Sequence, residues 1–102
     1  MATEAFQSVL ASRHKGGAAE VPFDPGACWS VSARPLRRGR RGFPVRATLN
    51  GHAFESAIVA RSRKFWLLVP AAVSEQAGIR VGESGLFSVR PAASPRSARR
   101  TA

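Results

Sequence analysis

A single cysteine, Cys28, leaves this 102-residue chain without a partner for an intrachain disulfide, so it is not a small secreted domain held by disulfides. Histidine is nearly as scarce. His14 and His52 are the only two, and one thiol with two dispersed imidazoles does not make a zinc site. No run approaches the ~18 apolar residues of a membrane span. The opening MATEAFQSVLASR lacks the basic start and long apolar run of a signal peptide. A cytoplasmic setting without a membrane partner is therefore expected. Acidic residues number 6 and are scattered over Glu4, Glu20, Asp24, Glu55, Glu75 and Glu83. A catalytic triad needs a nucleophile beside an oriented base, whereas His14 sits in a glycine turn and His52 follows a hairpin turn. Residues 38–42 (RGRRG) are glycine-rich, but no Gly-Lys-Ser/Thr follows and no helix starts there, so they are not a phosphate-cradling loop. The chain is read as a non-enzyme, with no catalytic residue, no metal ligand and no cofactor.

What the chain has is positive charge: 16 Lys and Arg, for a formal net charge of +10. Such a surface attracts phosphate-rich polymers over about a Debye length, roughly 8 Å at physiological salt. All but Lys15 and Lys64 of these cations are Arg, a bias that a GC-rich genome produces without any anionic partner. Both origins of the charge stay open. Apolar residues at 44% and charged residues at 22% are ordinary for one globular domain, with room for one modest core.

Local patterns predict mostly strands. Residues 5–12 (AFQSVLAS) and 18–23 (AAEVPF) read as strands joined by the turn His14-Lys15-Gly16-Gly17. Asp24-Pro25 marks a helix start, Asp capping free N–H groups and Pro occupying the first helical position. That helix runs to about Val31, and residues 34–44 (RPLRRGRRGFP) follow as a polar loop broken by Gly and Pro. Asn50-Gly51 is the dipeptide best suited to a two-residue type I′ hairpin turn. Closure there pairs Leu49 with His52, Ala47 with Phe54 and Arg46 with Glu55. Val45, Ala47, Leu49, Phe54, Ile58 and Ala60 then share the core-facing side. Residues 61–64 form a basic turn, and residues 65–69 (FWLLV) are apolar on both faces, as a central strand is. A short helix over 71–77 stops at Gly78, and residues 85–90 form the last strand. Cys28, between Ala27 and Trp29, is expected to be a buried small hydrophobe. The barrel domain is expected over residues 1–91, with a disordered basic tail at 92–102. Val21-Pro22-Phe23 before the first helix echoes Val69-Pro70-Ala71 before the second, consistent with a barrel of two interlocked halves.

The segments VPFDPGACW, VRATLNGHAFESAIV and FWLLVPAAVSEQAGIRVGES resemble a small bacterial family catalogued as a domain of unknown function, over about residues 6–96. Members of that family occur alone or joined to a bacteriocin-protection (YdeI/OmpD-associated) type of domain. The resemblance implies a mainly β fold, a small six-stranded double-split β-barrel capped by two short helices in the order β-β-α-β-β-β-α-β. It is similar to the AbrB/MazE DNA-binding barrels, whose strand–Pro–helix–Gly–strand pattern LLVPAAVSEQAGIRVGE also matches. Three departures stand out. Glu83 replaces the usual Asp of a Gly-Asp turn, Gly85 replaces an aliphatic residue, and Ser74, Glu75 and Gln76 stand where the second helix often carries basic residues. No catalytic residue is implied.

Two functions follow as expectations. The first is a nucleic-acid-binding module, or a module for another anionic partner, whose contacts are Arg37, Arg38, Arg40, Arg41, Arg61, Arg63 and Lys64. Clustered cations of this kind give salt-dependent, sequence-independent affinity for phosphates. The second is a protein- or small-ligand-binding accessory module in bacteriocin or stress protection, where the charge is incidental. Trp29 and Trp66 are read as packing residues, with base stacking as the alternative. The oligomeric state stays open.

Overall fold

In the computed structural model, residues 3–13, 16–30, 33–35 and 41–92 are described. Among the described residues nine elements follow in chain order. They are β1 (Glu4–Arg13), β2 (Gly16–Val21), α1 (Pro25–Trp29), β3 (Arg34–Pro35), β4 (Arg41–Leu49), β5 (His52–Arg61), β6 (Lys64–Pro70), α2 (Ala71–Ala77) and β7 (Ser84–Pro91). Six strands run in the order β4-β5-β6-β2-β1-β7, and β7 pairs with β4 to close the barrel. Every pairing is antiparallel. Closure leaves the six strands without the free edge that an open sheet would expose. The two-residue β3, absent from the sequence reading, adds to the start of β4.

The barrel has an internal two-fold in its topology. Exchanging β1 with β5, β2 with β6, α1 with α2 and β4 with β7 returns the same cyclic strand order. Two strands divide their pairing between neighbours in the same way. β1 pairs with β7 over its first six residues and with β2 over its last four, while β5 pairs with β4 and then β6. The Val-Pro echo lies at equivalent points of the two halves. Because β2 and β6 are antiparallel neighbours, the helices that follow them leave at opposite ends of the barrel.

Alternation sets the core. Phe6, Leu10, Ala19, Val21, Val45, Leu49, Ile58, Leu67, Val69, Phe87 and Val89 point inward and are buried. Phe87 stacks on Phe6 with centroids 5.6 Å apart. At one end Phe23 and Trp29 pack edge-to-face at 5.5 Å and close the barrel beneath α1. At the other, α2 contributes the half-buried Val73 and Ala77. Gly85, buried in β7, sits where an added Cβ would lie 2.6 Å from Leu49 Cδ1. Leu49 fills the space an aliphatic residue would otherwise take.

The hairpin has the expected register, including Leu49↔His52, Ala47↔Phe54 and Arg46↔Glu55. Asn50 (φ 49°) and Gly51 (φ 88°) both take the left-handed conformation that a type I′ turn requires. Asn50 does more than turn the chain. Its N–H donates to the Leu86 carbonyl at 2.8 Å, and its Oδ1 accepts from the Leu86 N–H at 2.9 Å. The hairpin tip thereby continues the β4–β7 seam that closes the barrel. Asp24 Oδ1 accepts from the N–H groups of Gly26 and Ala27 as the cap of α1. Gly78 (φ 72°) ends α2.

Five expectations change. Residues 41–44 belong to β4 rather than to a loop, because Phe43 and Val45 both point inward and their burial outweighs the Gly42 and Pro44 signals. β2 ends at Val21, short of residue 23, and α1 ends at Trp29, with Ser30 (φ 55°) as its left-handed cap. Ala60 is exposed beside the β5–β6 turn, whereas Phe54, expected on the same side, packs half-buried against the core. Cys28 is exposed. In a helix of 100° per residue, Pro25 and Trp29 one turn apart take the inward stripe, and Cys28 falls on its flank. Of the tail expected over 92–102, Ala92 donates its N–H to the Pro44 carbonyl at 3.0 Å, and residues 93–102 lie outside the described residues.

Exposure does not make Cys28 an open nucleophile. Its Sγ donates to Glu4 Oε2 at 3.6 Å. Partial desolvation, then the Glu4 carboxylate, push the thiol above its ordinary pKa. Less thiolate exists at neutral pH, so thiol labelling is expected to run slower than that of a free cysteine. Glu4→Gln should speed it. A rate equal to that of free cysteine, or one unchanged by Glu4→Gln, contradicts this reading.

Candidate nucleic-acid interface

β4 begins, β5 ends and β6 begins at the same end of the barrel, because each pairs antiparallel with its neighbour. Arg41, Arg61, Arg63 and Lys64 therefore gather at the end that also carries α1. Arg37, Arg38 and Arg40 lie outside the described residues. The four described cations are exposed but are not equivalent. Arg41 Nη2 donates to the Ala33 carbonyl at 2.9 Å, which ties its guanidinium to the backbone. Lys64 Nζ lies 3.7 Å from Glu20 Oε1. Arg61 and Arg63 form no ion pair among the described residues.

The turn that presents these cations has an unusual backbone. Arg61 pairs with Lys64, and the two residues between them, Ser62 (φ 55°) and Arg63 (φ 63°), are both left-handed. The hairpin at Asn50-Gly51 meets the same demand with residues suited to it. For ordinary residues the conformation costs roughly 1–2 kcal/mol each. Strain held in this way is a pointer to function. Arg63 stands at the tip of a turn that glycine would make more easily.

Trp66 stands next to this turn on the outside of the barrel. Phe65, Leu67 and Val69 alternate toward the interior, so Trp66 and Leu68 face outward. The Trp66 Nε1 donates to the Arg61 carbonyl at 3.3 Å, which orients the indole over the β5–β6 turn. Trp66, Arg61, Ser62, Ser12, Ala11 and Ala18 line an open groove of about 300 Å³. The two tryptophans, read alike from the sequence, thus separate. Trp29 packs on the core, and its Nε1 is buried without an acceptor among the described residues. Trp66 is half-buried on the outer wall between its cross-strand neighbours Glu20 and Val59, with its indole nitrogen on the Arg61 backbone. The sequence carried the signal for this, since a strand apolar on both faces must turn Trp66 outward if Phe65 and Leu67 turn in.

The acids outside α2 have local partners. Asp24 caps α1, Glu55 Oε2 lies 3.7 Å from Arg46 Nη2, and Glu83 Oε1 accepts from the Arg80 N–H at 2.8 Å. Glu83 thereby serves the turn in which Asp is usual. Among the described residues no three of His, Cys, Asp and Glu are grouped to hold a metal ion. No helix of the described residues is long and apolar enough to cross a membrane.

No curated protein matches the chain. A family model does match, over residues 6–86, and covers most of the barrel. The chain belongs to the family described as a domain of unknown function, DUF1905.

Proposed function

We propose that this chain is a non-enzymatic nucleic-acid-binding module that holds single strands at the β5–β6 turn. The observation that carries the reading is the outward Trp66 beside Arg61, with Arg63 and Lys64 on the same turn. Stacking on an aromatic face and phosphate contact by neighbouring cations together make up sequence-tolerant single-strand binding. The resemblance to the AbrB/MazE DNA-binding barrels supports a nucleic-acid partner by analogy of fold alone. Arg37, Arg38, Arg40 and Arg41 extend the same proposal, as does a cytoplasmic bacterial setting. A link to bacteriocin protection rests only on the resemblance.

The test is a titration of labelled single-stranded and duplex oligonucleotides at several salt concentrations. Affinity is expected to be indifferent to sequence and greater for the single strand. It should fall with a log–log slope near −0.7 per phosphate neutralised on a single strand. Undetectable binding at low salt overturns the reading. Arg63→Gly supplies a second, internal check. It removes a cation and relieves the left-handed strain, so it is expected to stabilise the fold by up to about 1 kcal/mol. The same change should weaken binding and flatten the slope by about 0.7. A variant that is both less stable and equally tight in binding contradicts the proposed role of Arg63.

A further inference from the structure

A second groove, of about 430 Å³, lies on the wall formed by β5, β4, β7 and the residue preceding β1. Its shape follows from register. One row of outward side chains runs Arg90, Arg46, Glu55 across β7, β4 and β5, and the next runs Ser88, Thr48, Ala53. The small residues of the second row form a floor beside the taller charged row. Arg46 and Arg90 stand directly opposite each other across the β4–β7 seam, an arrangement of like charges that costs stability. Glu55 answers Arg46 alone, at 3.7 Å. Arg90 forms no ion pair among the described residues. Thr48 Oγ1 and Ser88 Oγ are 2.7 Å apart. One hydroxyl of such a pair donates to the other, so the accepting hydroxyl keeps its own proton for a further partner.

We propose that this groove binds a small phosphomonoester, with the phosphoryl group between Arg46 and Arg90 and the esterified group on the Thr48–Ser88–Ala53 floor. Glu55 approaches Arg46 through a single contact of 3.7 Å, longer than a hydrogen bond, so among the described residues the donors of both guanidinium groups stay open to a ligand. Two guanidinium groups and a spare hydroxyl match the three terminal oxygens of a phosphoryl group. The site is separate from the Trp66 groove and shares no residue with it.

Thermal unfolding in phosphate, against chloride at equal ionic strength, tests the site. Near-saturating phosphate is expected to raise Tm by about 5 °C, and phenyl phosphate should act at lower concentration than inorganic phosphate. In Arg90→Gln the ligand-dependent rise should vanish, while Tm in chloride holds or increases because a repulsion is gone. The triple variant Arg61→Ser, Arg63→Ser, Lys64→Ser should keep the rise, which separates this site from the nucleic-acid interface. Amide chemical-shift changes on adding inorganic phosphate should centre on residues 46, 88 and 90. No phosphate-specific rise, a rise retained by Arg90→Gln, shifts centred on residues 61–64, or phenyl phosphate no more potent than inorganic phosphate each overturn the proposal.

Discussion

Phe87→Ala is expected to lower the stability of the barrel by about 3–5 kcal/mol, the usual cost of truncating a fully buried aromatic ring. Phe87 is 0% exposed, stacks on Phe6 and pairs across the closing seam with Leu49. Its removal opens a cavity between β1 and the β4–β7 seam, and strands held in a closed barrel cannot collapse to fill it. Total stability for a domain of this size is typically about 5–15 kcal/mol, so at the low end of that range such a loss brings the variant close to its unfolding midpoint at ambient temperature. Urea unfolding of the wild type and variant measures it. A loss below about 1 kcal/mol, the scale of a surface change, would mean that Phe87 is not at the centre of the core.

How much of this was legible in the sequence depends on how far apart the partners lie along the chain. The Asn50-Gly51 hairpin was readable to the residue, because both left-handed turn positions carry residues made for them and the partners are adjacent. The Asp24 cap and the Gly78 stop were equally local. The turn at Ser62-Arg63 has the same backbone demand, yet neither residue advertises it, so the sequence showed only a basic turn. The start of β4 was hidden for the opposite reason. Gly42 and Pro44 signal a loop, and only burial of Phe43 and Val45 in the closed barrel overrides them. The seam between β4 and β7 joins residues about forty positions apart, and no local pattern encodes it. The second bond-forming role of Asn50 and the face-to-face placement of Arg46 and Arg90 both depend on that seam. Cys28 was misplaced because a five-residue helix has one narrow inward stripe, already filled by Pro25 and Trp29.

The largest functional effect is expected from replacing Arg61, Arg63 and Lys64 together by Ser. If each contacts one phosphate, the salt slope for a single strand should flatten by about 2, and affinity at low salt should fall at least tenfold, by roughly 1.4 kcal/mol or more. The fold should be nearly unaffected, since exposed charges contribute little to stability. Net charge alone must be separated from position, because any chain at +10 attracts polyanions. The triple variant Arg46→Ser, Arg80→Ser, Arg90→Ser makes the same change in charge away from the β5–β6 turn. It is expected to retain most of the affinity. Equal losses in the two triple variants would show a diffuse electrostatic attraction without a site.

Where a single strand lies on the barrel can be read directly by photocrosslinking. A single-stranded oligonucleotide carrying 5-iodouracil, irradiated with the intact protein, couples most readily to an aromatic ring on which the base stacks. Trypsin cuts after Lys64 and Arg80 and releases residues 65–80, the peptide that carries Trp66. The proposed interface predicts that this peptide carries the dominant crosslink, and that the crosslink disappears in the Arg61, Arg63 and Lys64 triple variant. A dominant crosslink on the peptide that carries Trp29, or on residues 93–102, contradicts it.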